Sequence, residues 1–284
     1  MSPCSWRHHE GGVVIDLHVH TWRCRHAVGT VFEYVAAAAE RGIDTIAITD
    51  HLPLPPALIA RDPGMAAYAM PVVELPAYVD EVLSARTAVS ATGGPEVLLG
   101  IEADVYPGNE AFVRTMLAEH PFDVVLGSVH FVDGWAFDDP DRREGYASWD
   151  VRALWERYFD DLVSAARGGL ADVIGHADLV KKFGYVPDGD LMPLYREVAS
   201  AFAEAGVAVE VNTAGLRKPC AEIYPAAPLL RALNRAGVPV TVGSDAHAPA
   251  EVGSAYGEAR RALLDAGYRS AVVFRSRQAE EVPL

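Results

Sequence analysis

Histidines and carboxylates recur along the chain where short apolar runs end. The run Ile15-Asp16-Leu17 leads into His18-Val19-His20-Thr21. Later runs are followed by Thr49-Asp50-His51, Gly100-Ile101-Glu102, Gly127-Ser128-Val129-His130, Gly175-His176-Ala177-Asp178 and Gly243-Ser244-Asp245-Ala246-His247. Neutral imidazoles and ionised carboxylates are the natural ligands of divalent cations. Strand alternation puts His18 and His20 on one side of the chain, two residues apart, which suits two ligands of one ion. An isolated HxH pair is weak support for a metal site; its weight comes from the repetition after successive runs. Together His18, His20, His26, His51, His130, His176 and His247, with Glu102 and Asp245, make nine potential ligands. One tetrahedral ion needs about four, so the supply points to more than one metal. Cys24 lies between His20 and His26, but a cluster built for hydrolysis draws on His and carboxylate, and the thiol is not counted among the ligands.

A second set of residues suits an anionic substrate. Lysine occurs only at positions 181, 182 and 218, in two stretches that follow predicted strands, and Arg217 sits beside the last of them. Attack on a phosphate dianion needs cations to neutralise its oxygens and a hydroxide formed near neutral pH, and clustered divalent metals supply both. Arg217 and Lys181 or Lys182 would add positive charge. The bland reading of the lysines is a solvated helix face and an ordinary loop charge. Asp50 and Asp178 are candidates to orient imidazoles or to protonate a leaving alkoxide, and equally for satisfied loop carboxylates.

The elements that must position these residues follow a repeated grammar. An Ala-rich helix ends at a glycine, a short β-branched strand follows, and polar residues come next, as in 41–51, 205–213 and 236–245. The first of these helices opens at Thr30 with Glu33 three positions on, a capping-box pattern, and Gly42 stands at its left-handed end. Strands are predicted over 13–17, 44–48, 97–101, 124–127, 172–174, 207–211 and 238–242. In alternation with helices they predict an α/β parallel barrel, with an open doubly wound sheet as the alternative. Its C-terminal rim is where barrel enzymes assemble their sites. Two connections break the rhythm: the proline-rich 52–95 and the acidic, aromatic 131–148, which read as loops over the site. Residues 1–12 read as a flexible tail and 13–284 as one barrel domain. His8, His9 and His120 fall outside the pattern.

Bulk properties narrow the field. The 284 residues carry a formal net charge of −15 with 24 Lys and Arg, which argues against a nucleic-acid surface. Cysteine occurs 3 times without CxxC spacing, so no disulfide framework is implied and a reducing cytoplasm fits. No apolar run approaches membrane-spanning length, and none near the start resembles a signal peptide. The partner expected is a small molecule, with no nucleic acid and no membrane. Oligomeric state is left open.

With these motifs in hand, the sequence resembles the polymerase-and-histidinol-phosphatase (PHP) family over roughly Asp16 to Val252. The resemblance sharpens toward the histidinol-phosphatase subfamily at Leu179-Val180-Lys181-Lys182-Phe183-Gly184, at Val211-Asn212-Thr213-Ala214-Gly215-Leu216-Arg217-Lys218-Pro219, at Glu222-Ile223-Tyr224-Pro225 and at Gly134-Trp135-Ala136-Phe137-Asp138. It implies a distorted, TIM-like (β/α)7 barrel that holds two to three divalent ions, whether zinc, manganese or iron. By resemblance His18, His20, Glu102 and Asp245 hold one metal, Glu102 bridges to a second bound by His130 and His176, and His26, His51 and His247 hold a third. The implied activity is hydrolysis of a phosphate monoester, with histidinol phosphate the best single substrate. Glu102, Asp245, Arg217 and Asp50 are then the catalytic candidates, and Arg217, Lys181, Lys182, Lys218 and Tyr224 those for substrate. Trp135, Phe137, Asp138, Asp139 and Glu222 are candidates to meet an amino alcohol at the mouth. Competing readings are an amidohydrolase-like barrel, whose bridging lysine has no counterpart here, a nuclease relative, and a metal-binding protein without turnover.

Overall fold

The computed structural model describes residues 12–284; the expected tail, apart from Gly12, lies outside them. Seven strands form one parallel sheet in sequence order: β1 (Ile15–Val19), β2 (Thr45–Ile48), β3 (Glu96–Asp104), β4 (Val124–Ser128), β7 (Val173–Ile174), β8 (Ala208–Asn212) and β9 (Val240–Gly243). A parallel bridge between Val19 and Ala246, just past β9, brings the last strand back to the first. Backbone bonds from the Asp245 N–H to the His18 carbonyl (2.8 Å) and from the His20 N–H to the Ala246 carbonyl (2.9 Å) complete the contact. The result is the nearly closed barrel predicted, not the open sheet.

Helices pack outside: α1 (Val31–Arg41), α4 (Glu110–Ala118), α5 (Val151–Arg167), α6 (Met192–Ala205), α7 (Ala227–Ala236) and α8 (Tyr256–Ala266). The predicted grammar is realised. Thr30 and Glu33 form both halves of the capping box, and Gly42, Gly206 and Gly237 end α1, α6 and α7 with φ of 69°, 72° and 76°. The left-handed conformation there frees each chain to turn into the next strand. Because the helices cover the sheet, β2, β4 and β9 are buried at every residue, as their near-continuous apolar sequences require.

Two connections differ from the prediction. The proline-rich stretch 52–95 is largely helical, with α2 (Pro56–Arg61) and the 16-residue α3 (Leu75–Ser90). Apart from Pro95, which precedes β3, its prolines stand before helices or in their first turn, where the missing N–H costs nothing. The stretch 131–148 holds a small hairpin, β5 (Phe131–Val132) with β6 (Trp135–Ala136), and a run of 3-10 turns. The two segments meet through Tyr68 to Asp139 and Arg142 to Asp62 (2.7 Å).

Beyond α8 the chain forms an antiparallel hairpin, β10 (Ser270–Arg275) and β11 (Gln278–Pro283). It docks under the barrel at the N-terminal ends of the strands. There Arg275 pairs with Glu96 (2.6 Å), Arg277 with Asp172, and the Ser276 N–H donates to Asp123 (3.1 Å). No described helix is long and apolar enough to cross a membrane.

Candidate metal centre

At the opposite end, strand alternation turns polar side chains into the barrel. Asp16, His18, His20, Glu102, Asp104, Ser128, His176, Glu210 and Asn212 are all buried. A buried polar group is costly unless it is partnered, so the pattern of partners is informative.

Glu102 lies at the middle. On one side its Oε2 faces His51 Nδ1 at 3.1 Å, His20 Nε2 at 3.3 Å and His18 Nε2 at 3.4 Å. On the other its Oε1 meets His176 Nε2 at 3.0 Å and His130 Nε2 at 3.8 Å, and accepts the Ser128 hydroxyl at 2.6 Å. Asp245 joins the first side, with Oδ1 3.3 Å from His20 Nε2 and 3.8 Å from His18 Nε2. The Nε2 atoms of His18 and His20 are themselves 2.9 Å apart.

Among the described residues, five groups of donor atoms lie close enough together to hold an ion: His18–His20–Glu102, Glu102–His130–His176, His26–His51–His247, His51–Asp104–His130 and His20–Cys24–His247. The first three bring together the residues of the three expected sets, with Asp245 beside the first. Buried atoms with no hydrogen-bond partner include Glu102 Oε2, His20 Nδ1 and His176 Nδ1. A carboxylate oxygen ringed by imidazole nitrogens but bonded to none fits a cation better than any arrangement of hydrogen bonds.

Electrostatics agree. Burial pushes Glu102 up, but the imidazoles of His51, His18 and His130 outweigh it and hold the carboxyl well below its usual range. Asp245 is likewise held low, against burial, by His18 and His20. Burial, helped by His247, lowers His20 to about 3, and burial keeps His51 neutral as well. Burial disfavours charge on His18 and His130 too. There it is overcome by Glu210 and Glu102 at His18 and by Asp104 and Glu102 at His130, which rises to about 10. Metal uptake by these two rings would therefore release protons.

Two of the residues carry backbone strain. His176 and Asp245 have φ of 27° and 51°, in the left-handed region that side chains other than glycine rarely adopt. Each is held there by surrounding bonds, among them His176 N–H to Glu210 (2.9 Å) and Asp245 N–H to the His18 carbonyl (2.8 Å).

The remaining candidates are spread around this cluster. His26, on the loop after β1, has its ring 5.0 Å from that of His247 and 5.3 Å from that of His51. Cys24 lies close to His20 and His247, but burial and the charge of Asp50 push its thiol up to about 12, away from the thiolate a soft metal needs. Asp50 orients no imidazole. Its oxygens accept the Thr21 N–H (2.8 Å) and hydroxyl (2.6 Å), which pins the start of the His26 loop; burial raises it to about 7. Asp178 accepts the Ala226 N–H at 2.7 Å and pairs with Lys181 at 2.9 Å.

Lys181 is buried and also pairs with Glu222 at 2.8 Å, and its Nζ lies 5.3 Å from the Tyr224 ring. Tyr224 in turn lies 6.5 Å from the His176 ring. Lys182 pairs with Asp138 at 3.1 Å. Arg217 places Nη2 on the Ser244 carbonyl at 2.9 Å and the Asp245 carbonyl at 3.2 Å, at the edge of the cluster. Lys218 is half-buried next to it.

Sequence reasoning missed Glu210 and Asp104. Glu210 bonds His18 Nδ1 at 2.8 Å, and Asp104 bonds His130 Nδ1 at 2.8 Å. A signal for the first was available: Glu210 is the single charge inside the apolar run 207–211. Asp104 lay past the predicted end of its strand, which continues three residues further.

Comparison with known proteins bears on the family and the fold. Residues 16–214 match the PHP domain, and residues 230–266 match the PHP-associated region. The chain is 40% identical over 263 residues to a protein of Deinococcus radiodurans named probable histidinol-phosphatase, covering 93% of this chain and 97% of that relative. It is 28% identical to the histidinol-phosphatase of Bacillus subtilis, over 85% of this chain and 96% of the relative. The fold superposes with TM-score 0.79 and 20% identity on histidinol phosphate phosphatase of Lactococcus lactis, a structure complexed with zinc, L-histidinol and phosphate. That match covers 94% of this chain and 98% of the other. From its motifs, its barrel and these likenesses, the chain belongs to the PHP family.

Proposed function

We propose that this protein is a metal-dependent histidinol-phosphatase, which converts L-histidinol phosphate and water to L-histidinol and phosphate. His18, His20, Glu102 and Asp245 would hold one divalent ion and His130 and His176 a second shared through Glu102. His26, His51 and His247 would hold a third, so the centre takes two to three ions of zinc, manganese or iron. Ions bound there would neutralise phosphate oxygens and bring water to hydroxide near neutral pH. The chain's own part is to hold the ligands rigid, exclude bulk water and supply further charge. Arg217, fixed on the carbonyls of Ser244 and Asp245 and more loosely paired, at 3.6 Å from Glu251, than either lysine is with its carboxylate, is the cation best placed to meet a phosphate oxygen. Lys181 and Lys182 are already paired with carboxylates, so their contribution would be to shape the wall that carries Tyr224 and Asp138.

The observation that carries the metal reading is the Glu102 carboxylate, ringed by five imidazoles with Oε2 left without a hydrogen bond. The substrate rests on the 40% identity to the Deinococcus protein across nearly both whole chains. Phosphate release from histidinol phosphate, measured beside several other phosphate monoesters on metal-reconstituted protein, tests both. A strong preference for histidinol phosphate that Glu102→Gln abolishes is expected. Broad activity would sink the biosynthetic role, and no release from any ester would sink the phosphatase.

A further inference from the structure

Glu210 belongs to none of the groups of converging donor atoms, yet it touches candidate ligands on both sides of Glu102. It is fully buried in β8. Its Oε1 accepts from His18 Nδ1 at 2.8 Å, and its Oε2 accepts the His176 N–H at 2.9 Å and the Asn212 amide at 3.0 Å.

Each contact has a consequence at the cluster. A proton on Nδ1 of His18, shared with Glu210, leaves Nε2 as the atom turned to Glu102 Oε2 and to His20. The bond to His176 N–H holds that residue at its left-handed φ of 27°, which sets Nε2 3.0 Å from Glu102 Oε1. The barrel is cut to fit this carboxylate. A Cβ at Gly243 would fall 2.0 Å from Glu210 Oε1 and 2.5 Å from His18 Cβ.

We propose that Glu210 is a positioning residue that couples the two sides of the metal centre: it fixes the ring of His18 on one side and the backbone of His176 on the other. The proposal rests on the reading of the Glu102 cluster as a metal site. It assigns Glu210 no contact with metal or substrate, and no part in the His26–His51–His247 group.

The test is competition titration of zinc against a chromophoric chelator into metal-stripped protein, with thermal melting of the same samples and steady-state phosphate release. Glu210→Gln keeps one oxygen acceptor where two are needed, because the amide nitrogen cannot accept from His18 or His176. Gly243→Ala leaves the carboxylate's chemistry unchanged but crowds both Glu210 and His18 Cβ, so it supports the proposal only together with Glu210→Gln. Zinc affinity at the tightest sites is expected to fall 10–100-fold in both variants, the range typical of groups that orient ligands. kcat should fall with KM little changed, and metal-free melting should stay within a few degrees of wild type. His247→Ala is expected to weaken a different zinc site and to leave those sites intact. Wild-type zinc affinity in Glu210→Gln would overturn the proposal. So would a uniform loss at every site in step with a collapsed melting transition, which would make Glu210 a mere strut. A wild-type protein that takes up no zinc would instead overturn the underlying reading of the cluster.

Discussion

The two ends of the barrel are both rich in charge, and they use it differently. At the N-terminal end Arg86 pairs with Asp123, Arg277 with Asp172 and Arg275 with both Glu96 and Glu280, every cation matched by carboxylate. At the C-terminal end five imidazoles crowd one carboxylate, buried nitrogens and an oxygen lack partners, and two residues sit in strained conformations. The first end is complete as it stands and fastens the terminal hairpin to the strand starts. The second is balanced only if cations join it. Unpartnered buried polar atoms are what a fold tolerates at a working site, and none is found in the ionic pairs at the other end, where the positive φ of Ser276 and Arg277 belongs to the tight turn of the hairpin.

The contrast can be broken at either end. Glu102→Gln removes the shared ligand, and activity on histidinol phosphate should fall on the order of 10³-fold, since a catalytic ion stabilises the transition state by several kcal/mol. Retained phosphate release would refute the bridging role. Arg217→Ala should reduce kcat/KM by about 10–100-fold, the scale of a charged hydrogen bond of roughly 1.5–3 kcal/mol, with metal content unchanged. A normal kcat/KM would remove Arg217 from the phosphate site.

At the N-terminal end the expected readout is stability. Arg277→Ala leaves the largely buried Asp172 without its cation, and its exposed flank moderates the loss to about 1–3 kcal/mol, measured by urea unfolding. kcat and KM should not move; if they do, the two ends are not independent. The smallest effect is expected outside both clusters, at Asp150 on the C-terminal side of the strands, whose side chain caps α5 by accepting the Ala153 N–H at 3.0 Å. Asp150→Ala should cost about 1 kcal/mol of stability and no activity.

Much of the convergence at the C-terminal end was legible in the sequence because its candidate ligands follow local signals: an apolar run, then a His or carboxylate. The glycine caps at Gly42, Gly206 and Gly237 were legible for the same reason. Glu210 was not, because its role depends on two residues from other strands, His18 and His176, that only barrel closure brings near. Nor was the terminal hairpin, whose β11 is exposed and polar over most of its length and carries no apolar run to announce it. The proline-rich stretch before β3 was misread as loop because proline breaks helices in their interior but is welcome in their first turn, where α2 and α3 hold it. The pairing of Lys181 with Asp178 and Glu222 is likewise tertiary, and composition alone had pointed its charge at the substrate.

The central claim is that the C-terminal end is built around divalent cations shared through Glu102. The most direct test is the metal content of the purified protein after zinc loading and gel filtration, by inductively coupled plasma mass spectrometry, beside Glu102→Gln. At least two ions per chain in the wild type and a clear loss in the variant are predicted. A wild-type protein that elutes without metal, or a variant that keeps the full complement, would contradict the account.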